Sequence, residues 1–383
     1  MDFDFDNDQR MLRDSVRNFL GDAWGPRKLR GADGRFSAEL WSGLCGLGLQ
    51  TLPVPENLGG AGLGWVELVL VLEEFGRALV PAPMAETLLA ADILARHATP
   101  EQRARLLPQI ASGDCRFAFA DTQAEGGEAD AEALLTARAD GDAWRLHGTK
   151  ILVAGAQAAT HLLVSARPPG GLPGLFLCAA GDPGVSPQAH RAVDPSALLG
   201  RIIFDGTRAE AVGALPGARA LERLRETSTL AAAAQMVGIG AAALDLAVAY
   251  AKQRTQFDRP IGSFQAIKHK CADMLVALEG ARSLAYHAAW AAAEADDSLP
   301  LAVSMAKAAC GDACRLICND ALQIHGGVGF TWEYDIHLYL KRGKLLEYQF
   351  GDASFHRERV AALVIDGARG GKHADAIDLT PPL

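Results

Sequence analysis

The stretch QRTQFDRPIGSFQAIKHKCADM, residues 253–274, breaks two long alanine-rich runs. It crowds Arg254, Phe257, Arg259, Pro260, Gly262 and Gln265 into one short turn. Proline and glycine interrupt helices, so the chain reverses here. Beyond the turn, Ile267, Cys271, Met274, Leu275 and Leu278 recur at helical spacing and predict one apolar face. Taken singly, Arg254 reads as a solvated helix-end residue and Phe257 as core. Together with Gln265 they bring a forked cation, a flat ring and an amide to one turn.

Working outward, the pattern divides the chain into three parts. Residues 1–115 read as an N-terminal α-helical domain. In it Leu12, Val16, Phe19 and Leu20 keep helical spacing, and TPEQRARLLPQIASGD opens on a helix start signal. The glycine-rich PVPENLGGAGLG lacks the Lys-Ser/Thr of a phosphate loop and reads as a tight turn. Residues 116–217 carry short runs such as RFAFADT, THLLVSAR and GRIIFDGT between Gly, Pro and Asp, and predict an antiparallel β-domain. Residues 218–383 return to helices, with Thr227 or Ser228 as an expected N-cap, and predict a C-terminal four-helix bundle. The fold class is thus mainly α with an inserted β-domain.

Composition narrows the function. The 383 residues carry a net charge of −9, which argues against nucleic acid as partner. The N-terminus is acidic and no apolar run reads as a membrane span, so the cytoplasm is the expected location. Of the seven cysteines, Cys310, Cys314 and Cys318 are spaced by four, with His325 expected beyond their helix. We read them as small buried residues and assign no metal. Lys268 and Lys270 beside His269 read as a solvated helix face, with a CoA phosphate as the sharper alternative.

The chain resembles the acyl-CoA dehydrogenase family. The resemblance rests on R-x-x-F-x-x-P-I-x-x-F-Q at Arg254 to Gln265 and on QIHGGVGF at Gln323 to Phe330, and it covers nearly the whole chain. It implies FAD at a subunit interface and α,β-dehydrogenation of an acyl-CoA thioester. It also implies a homo- or hetero-tetramer and electron-transfer flavoprotein as acceptor. Arg254 would then meet the FAD pyrophosphate, with Phe257 and Gln265 along the ADP part. Gln323, Gly326 and Gly327 would let backbone approach that same part, because glycine has no Cβ.

The sequence departs from the family where chemistry occurs. The family base is a glutamate near the C-terminus; counting from QIHGGVGF places Phe350 there, followed by Gly351 and Asp352. The alternative glutamate position falls near Ser228. A buried carboxylate suits proton abstraction, and Phe and Ser do not. The catalytic residue is therefore unassigned. The family's flavin-ring strand becomes KILVAGA, with Leu152 and Ala154 where Trp and Thr are usual, and its substrate loop becomes ADTQAEGGEAD.

Three readings follow. In the first, the chain is a subunit of a heteromeric dehydrogenase whose partner supplies the glutamate. QFGDASFHRERVA and GAQAATHLLVSAR resemble the small-subunit type of pimeloyl-CoA dehydrogenase, which implies a dicarboxylyl-CoA. In the second, the chain is self-sufficient, with Asp352 or Glu347 as displaced base. In the third, it is a flavin-free scaffold of the same fold. A flavin monooxygenase or nitroalkane-oxidase-like activity ranks below these.

Overall fold

The computed structural model describes residues 5–31, 36–81, 83–123, 135–213 and 217–366. Six helices come first: α1 (Asn7–Ala23), α2 (Pro26–Gly31), α3 (Ala38–Gly46), α4 (Trp65–Arg77), α5 (Met84–His97) and α6 (Pro100–Ala111). Strands follow: β1 (Phe117–Ala120), β2 (Thr136–Asp140), β3 (Ala143–Ala154), β4 (His161–Ala166), β5 (Gly174–Ala179), β6 (Val185–Ala189) and β7 (Leu199–Ala211). Helix α7 (Ala218–Gln253) leads to a small hairpin, β8 (Thr255–Gln256) and β9 (Arg259–Pro260). Helices α8 (Gln265–Ala293), α9 (Leu299–His325), α10 (Ile336–Tyr348) and α11 (Ala353–Ala361) complete the order. Helices, sheet and helices again is the sequence the pattern predicts.

The described residues form two compact units, one of residues 5–31, 65–80 and 229–366, the other of residues 36–64 and 81–228. The second unit holds the sheet, in the order β1-β4-β5-β7-β3-β2 with β6 on β7. Leu146, Leu162, Val164, Phe176, Ile202 and Phe204 pack its core. The expectation of an antiparallel domain needs one correction, because β1 and β4 run parallel. Long connections permit parallel pairing, and the intervening β2 and β3 supply one. Helix α6 is tied to β7 through Gln102. Its Nε2 donates to Ala211 O at 2.8 Å, while its Oε1 closes the capping box with Thr99.

The first unit is helical. The sequence points to Thr227 or Ser228 as a cap, but α7 begins at Ala218 and both residues are buried inside it. Thr227 Oγ1 instead donates back to Arg223 O at 2.8 Å, which a helix tolerates. By length and composition α7 could cross a membrane, yet 78% of its most apolar window is buried, as in a core helix. Helices α4 and α7 meet backbone to backbone. A Cβ added at Gly76 would lie 2.0 Å from Gln235 O, and one at Gly238 1.8 Å from Glu73 O.

Helix α8 also differs from expectation. Met274 and Leu278 are buried, but Leu275 is 49% exposed and Val276 74%. The spacing alone misassigns Leu275, because α8 is apolar on more than one face. Cys310, Cys314 and Cys318 are buried on α9, and Cys314 Sγ lies 2.8 Å from where a Cβ on Gly343 of α10 would stand. Small thiols and a glycine thus let α9 and α10 approach closely. His325 is the last residue of α9, not a residue beyond it.

Candidate cofactor and active site

The turn between Arg254 and Ile261 is a strained hairpin. Arg254 N–H still donates to Tyr250 O at 2.8 Å, and Arg254 O accepts from Ile261 N–H at 2.8 Å. Between them Phe257 and Asp258 take φ of 55° and 63°. Two positive φ values at a two-residue hairpin tip favour Asn-Gly, and a side chain there costs about 1–2 kcal/mol per residue. The Phe257 ring is not buried in return: it is 85% exposed. It meets Phe264 edge-on at 6.1 Å, and the Arg259 guanidinium lies 4.1 Å over the Phe264 ring. Gln265 opens α8, whose N-cap residue, Phe264, offers no capping side chain. An uncapped helix start beside an exposed arginine favours an anion.

The second predicted cluster sits at the end of α9. Gln323 and Gly327 are exposed and Gly326 is half-buried. Gly326 takes φ 65°, ψ −148°, a region that essentially only glycine adopts. A Cβ added to Gly326 or Gly327 would meet nothing within 4 Å. The two clusters lie together, because the Tyr250 ring stacks on His325 with centroids 4.4 Å apart. Tyr250 is one turn before Arg254, and His325 directly precedes Gly326. Burial lowers the His325 pKa, and the Ala321 carbonyl 2.7 Å away pulls it partly back. Nδ1 must carry the proton to donate there. Lys270 pairs with Asp320 at 2.5 Å, so it serves a helix-to-helix ion pair.

The second unit carries the departing strand. Leu152 of β3 has φ 54°, where the β3–β7 register shifts between Lys150 and Val153. Leu152 and Ala154 are half-buried. Of the ADTQAEGGEAD loop, residues 124–130 lie outside the described residues. Its start is anchored: Asp121 accepts two hydrogen bonds from Arg225 at 2.8 Å. Lys150 Nζ donates to Asp121 O at 2.7 Å and to Ser165 Oγ at 2.9 Å. Burial pushes the Asp121 pKa up, but Arg225 outweighs it and holds the carboxyl at about 2. Burial lowers Lys150 from 10.5 to about 7, against the pull of Asp121. Ser228 Oγ, one helical turn past Arg225, is buried with no hydrogen-bond partner among the described residues.

Lys150 makes a pH prediction. Between about pH 7 and its ordinary value of 10.5 the unfolded chain binds more protons there than the folded one. Stability therefore rises with pH across that window. The Tm of the wild type is expected to climb relative to that of Lys150→Met from pH 7 to pH 10. A constant difference between the two melting curves would contradict this.

Position 350 lies in a tight loop of the first unit. Phe350 has φ 59° and Gly351 φ 93°. Neither nearby carboxylate is idle. Asp352 caps α11, its Oδ1 accepting from Phe355 N–H at 2.9 Å. Glu347 is 5% exposed and bridges Arg315 at 3.2 Å and Lys344 at 2.8 Å.

Comparison with known proteins decides the family. The model of the acyl-CoA dehydrogenase N-terminal domain matches residues 6–114, and that of the C-terminal domain residues 218–365. The chain belongs to the acyl-CoA dehydrogenase family. It is 34% identical to acyl-CoA dehydrogenase FadE27 of Mycobacterium tuberculosis, over 87% of this chain and 90% of that one. It is 30% identical to the bovine mitochondrial short-chain specific acyl-CoA dehydrogenase, over 94% of this chain and 90% of that one. Among solved structures, a Tcur3481–Tcur3483 steroid ACAD superposes with a TM-score of 0.88 at 35% identity, over 95% of this chain and 99% of that chain. The ChsE4–ChsE5 complex from M. tuberculosis gives 0.88 at 31%, over 96% and 99%.

Membership makes this an FAD-dependent oxidoreductase family member, and the residues present fit FAD in part. The open space over Gly326 and Gly327, the exposed Arg254 and the uncapped start of α8 suit a diphosphate and its adenosine. The departing strand offers neither a hydroxyl nor an indole at Leu152 and Ala154. Sequence reasoning missed Tyr250, Arg225 and Lys307. Each is a polar side chain on a helix, and only its distant partner reveals its role.

Proposed function

We propose that this chain is a subunit of a heteromeric acyl-CoA dehydrogenase that completes its partner's FAD site and does not abstract the proton itself. The observation that carries the reading is the loop after α10. Position 350 holds phenylalanine, while Asp352 and Glu347 are committed to a helix cap and to ion pairs. Bound FAD supplies the acceptor for the β-hydride of the acyl thioester. Arg254 binds the pyrophosphate by charge-assisted hydrogen bonds. Phe257 and Gln265 line the ADP half, and the backbone at Gln323, Gly326 and Gly327 closes over it. The partner's carboxylate takes the α-proton, and an electron-transfer flavoprotein then takes the electrons.

Likeness to the Tcur3481–Tcur3483 and ChsE4–ChsE5 assemblies supports two different chains per enzyme. Likeness to a steroid ACAD supports a bulky acyl group over a dicarboxylyl chain. A tetramer of two such pairs fits the exposed apolar residues of α8.

The test is co-purification with a paralogous subunit that carries the glutamate. Alone, the chain is expected to hold well under one FAD per chain and to give no acyl-CoA turnover with an artificial acceptor. Turnover by the chain alone, abolished by Asp352→Ala or Glu347→Ala, would overturn the reading. Within the complex, Arg254→Ala is expected to weaken FAD binding roughly 10- to 100-fold, the loss of one charged hydrogen-bonding group. Unchanged FAD retention on dialysis would remove Arg254 from the site.

A further inference from the structure

The sheet of the second unit comes apart at one place. Strand β5 pairs with β7 at Phe176↔Ala211 and Leu177↔Glu210, and there the ladder stops. Two more rungs, Cys178 to Ala209 and Ala179 to Arg208, would continue it. Instead β5 leaves, while β7 stays on β3 through Trp144↔Ala209 and Arg145↔Arg208. A cavity of about 600 Å³ occupies this fork, lined by those same four residues. Helix α6 borders it with Arg105, Leu106 and Gln109, and every lining residue belongs to this one unit.

The lining mixes buried apolar residues, Leu106, Leu177 and Ala209 among them, with charges of both signs. Most of those charges are held. Arg105 bonds Glu210, and an Asp182 oxygen accepts from Gly184 N–H at 2.8 Å. The pair Arg208 and Asp142 differs. Its nitrogen and oxygen are 4.0 Å apart, too far for a hydrogen bond, and the side chains are 64% and 94% exposed. So loose a surface pair contributes little, which leaves both charges open to a ligand. The cavity is not equipped for chemistry. Burial raises the Cys178 thiol to about 12, so no thiolate forms. Burial, and then the Arg105 charge, lower the His161 pKa, so its ring adds no third cation.

The geometry points to a second ligand site in this fork, one that takes a small zwitterion with an apolar body, an α-amino acid of the leucine or phenylalanine class. Its carboxylate takes the Arg208 guanidinium, its ammonium takes Asp142, and its side chain covers Leu106 and Leu177. Such a ligand exchanges one loose ion pair for two close ones and leaves the net charge unchanged. A nucleotide or other polyanion does not fit, because three carboxylates face two guanidiniums. A plain hydrocarbon leaves Arg208 and Asp142 unused. The volume lies within the range of small-molecule sites and leaves room for water around the ligand. None of these residues is among those placed on FAD, so the inference stands apart from the heteromeric reading.

Saturation-transfer NMR and equilibrium dialysis test this on the full chain, with any co-purifying subunit left in place. The probes are L-leucine and L-phenylalanine. 4-Methylpentanoate and 3-methylbutylamine carry the leucine body with one charge each. At least one amino acid is expected to bind saturably with a Kd of roughly 1 mM or below, and each single-charge analogue roughly tenfold more weakly. Arg208→Gln and Asp142→Asn are each expected to weaken the amino acid roughly tenfold. Ala179→Trp, at the exposed edge of the cavity, is expected to abolish binding by filling it. All three positions are exposed, so the variants are expected to melt with the wild type. No saturation by either amino acid up to about 10 mM would overturn the site, as would an affinity unmoved by both charge variants. An analogue that binds as tightly as leucine would overturn the zwitterion.

Discussion

Gly238→Ala is expected to cost ~3 kcal/mol or more and to lower the Tm by roughly 4 °C or more. The new methyl would stand 1.8 Å from the Glu73 carbonyl oxygen and 2.7 Å from Arg77 N. Both are backbone atoms inside α4, so no side-chain rotation relieves the clash. The two helices must separate, and they lose the close contact that Gly76 provides from the other side. Gly280→Ala in α8 is the control. Nothing lies within 4 Å of its added Cβ, so the usual helix preference for alanine applies, about 0.5–1 kcal/mol in favour. Thermal melts of the two variants side by side check the claim. Equal Tm values would show that α4 and α7 slide apart freely.

Glu73→Ala is expected to cost about 1.5–3 kcal/mol, because it leaves half-buried Arg282 to Glu279 and removes the acceptor of the Tyr286 hydroxyl. Glu73 Oε1 accepts from Arg282 Nε and Nη2 at 3.2 and 3.1 Å, and Oε2 accepts from the Tyr286 hydroxyl at 2.6 Å. The carboxylate is 6% exposed, so water cannot take over its part. Burial first, and then the adjacent Glu73 charge, raise the Tyr286 pKa well above its usual value. The hydroxyl is thus a donor at every working pH. Tyr286→Phe removes one neutral donor to a charged acceptor and is expected to cost about 1.5–3 kcal/mol. The double variant should cost less than the sum of the singles, since both remove the same bond. Additive losses in denaturant melts would mean that Glu73 and Tyr286 act separately.

Much of this was legible in the chain because it depends on local rules. Pro260 and Gly262 announce the hairpin, and the Thr-Pro-Glu start at Thr99 announces α6. Counting from Gln323 places Phe350. What was not legible depends on distant partners. Nothing near Lys307 in an alanine-rich helix tells that its Nζ donates to the distant Glu347 and Gly351 carbonyls, at 2.9 and 2.6 Å. The parallel pairing of β1 with β4 joins segments far apart in the chain. Thr227 and Ser228 have the chemistry of caps, but α7 begins earlier, and their hydroxyls are used, or left unused, within it. Phe257 shows the same limit. Its type suggests core, and only the hairpin geometry puts it outside.

The exposed Phe257 tip bears on how the protein must be made. Phe330, Trp332 and Tyr348 also face outward in the single chain, at 71%, 59% and 62% exposure. Aromatic rings left in water adhere to one another, so surplus copies will tend to clump. Matched synthesis with a companion would keep them in solution, and overexpression in isolation is the condition under which they precipitate.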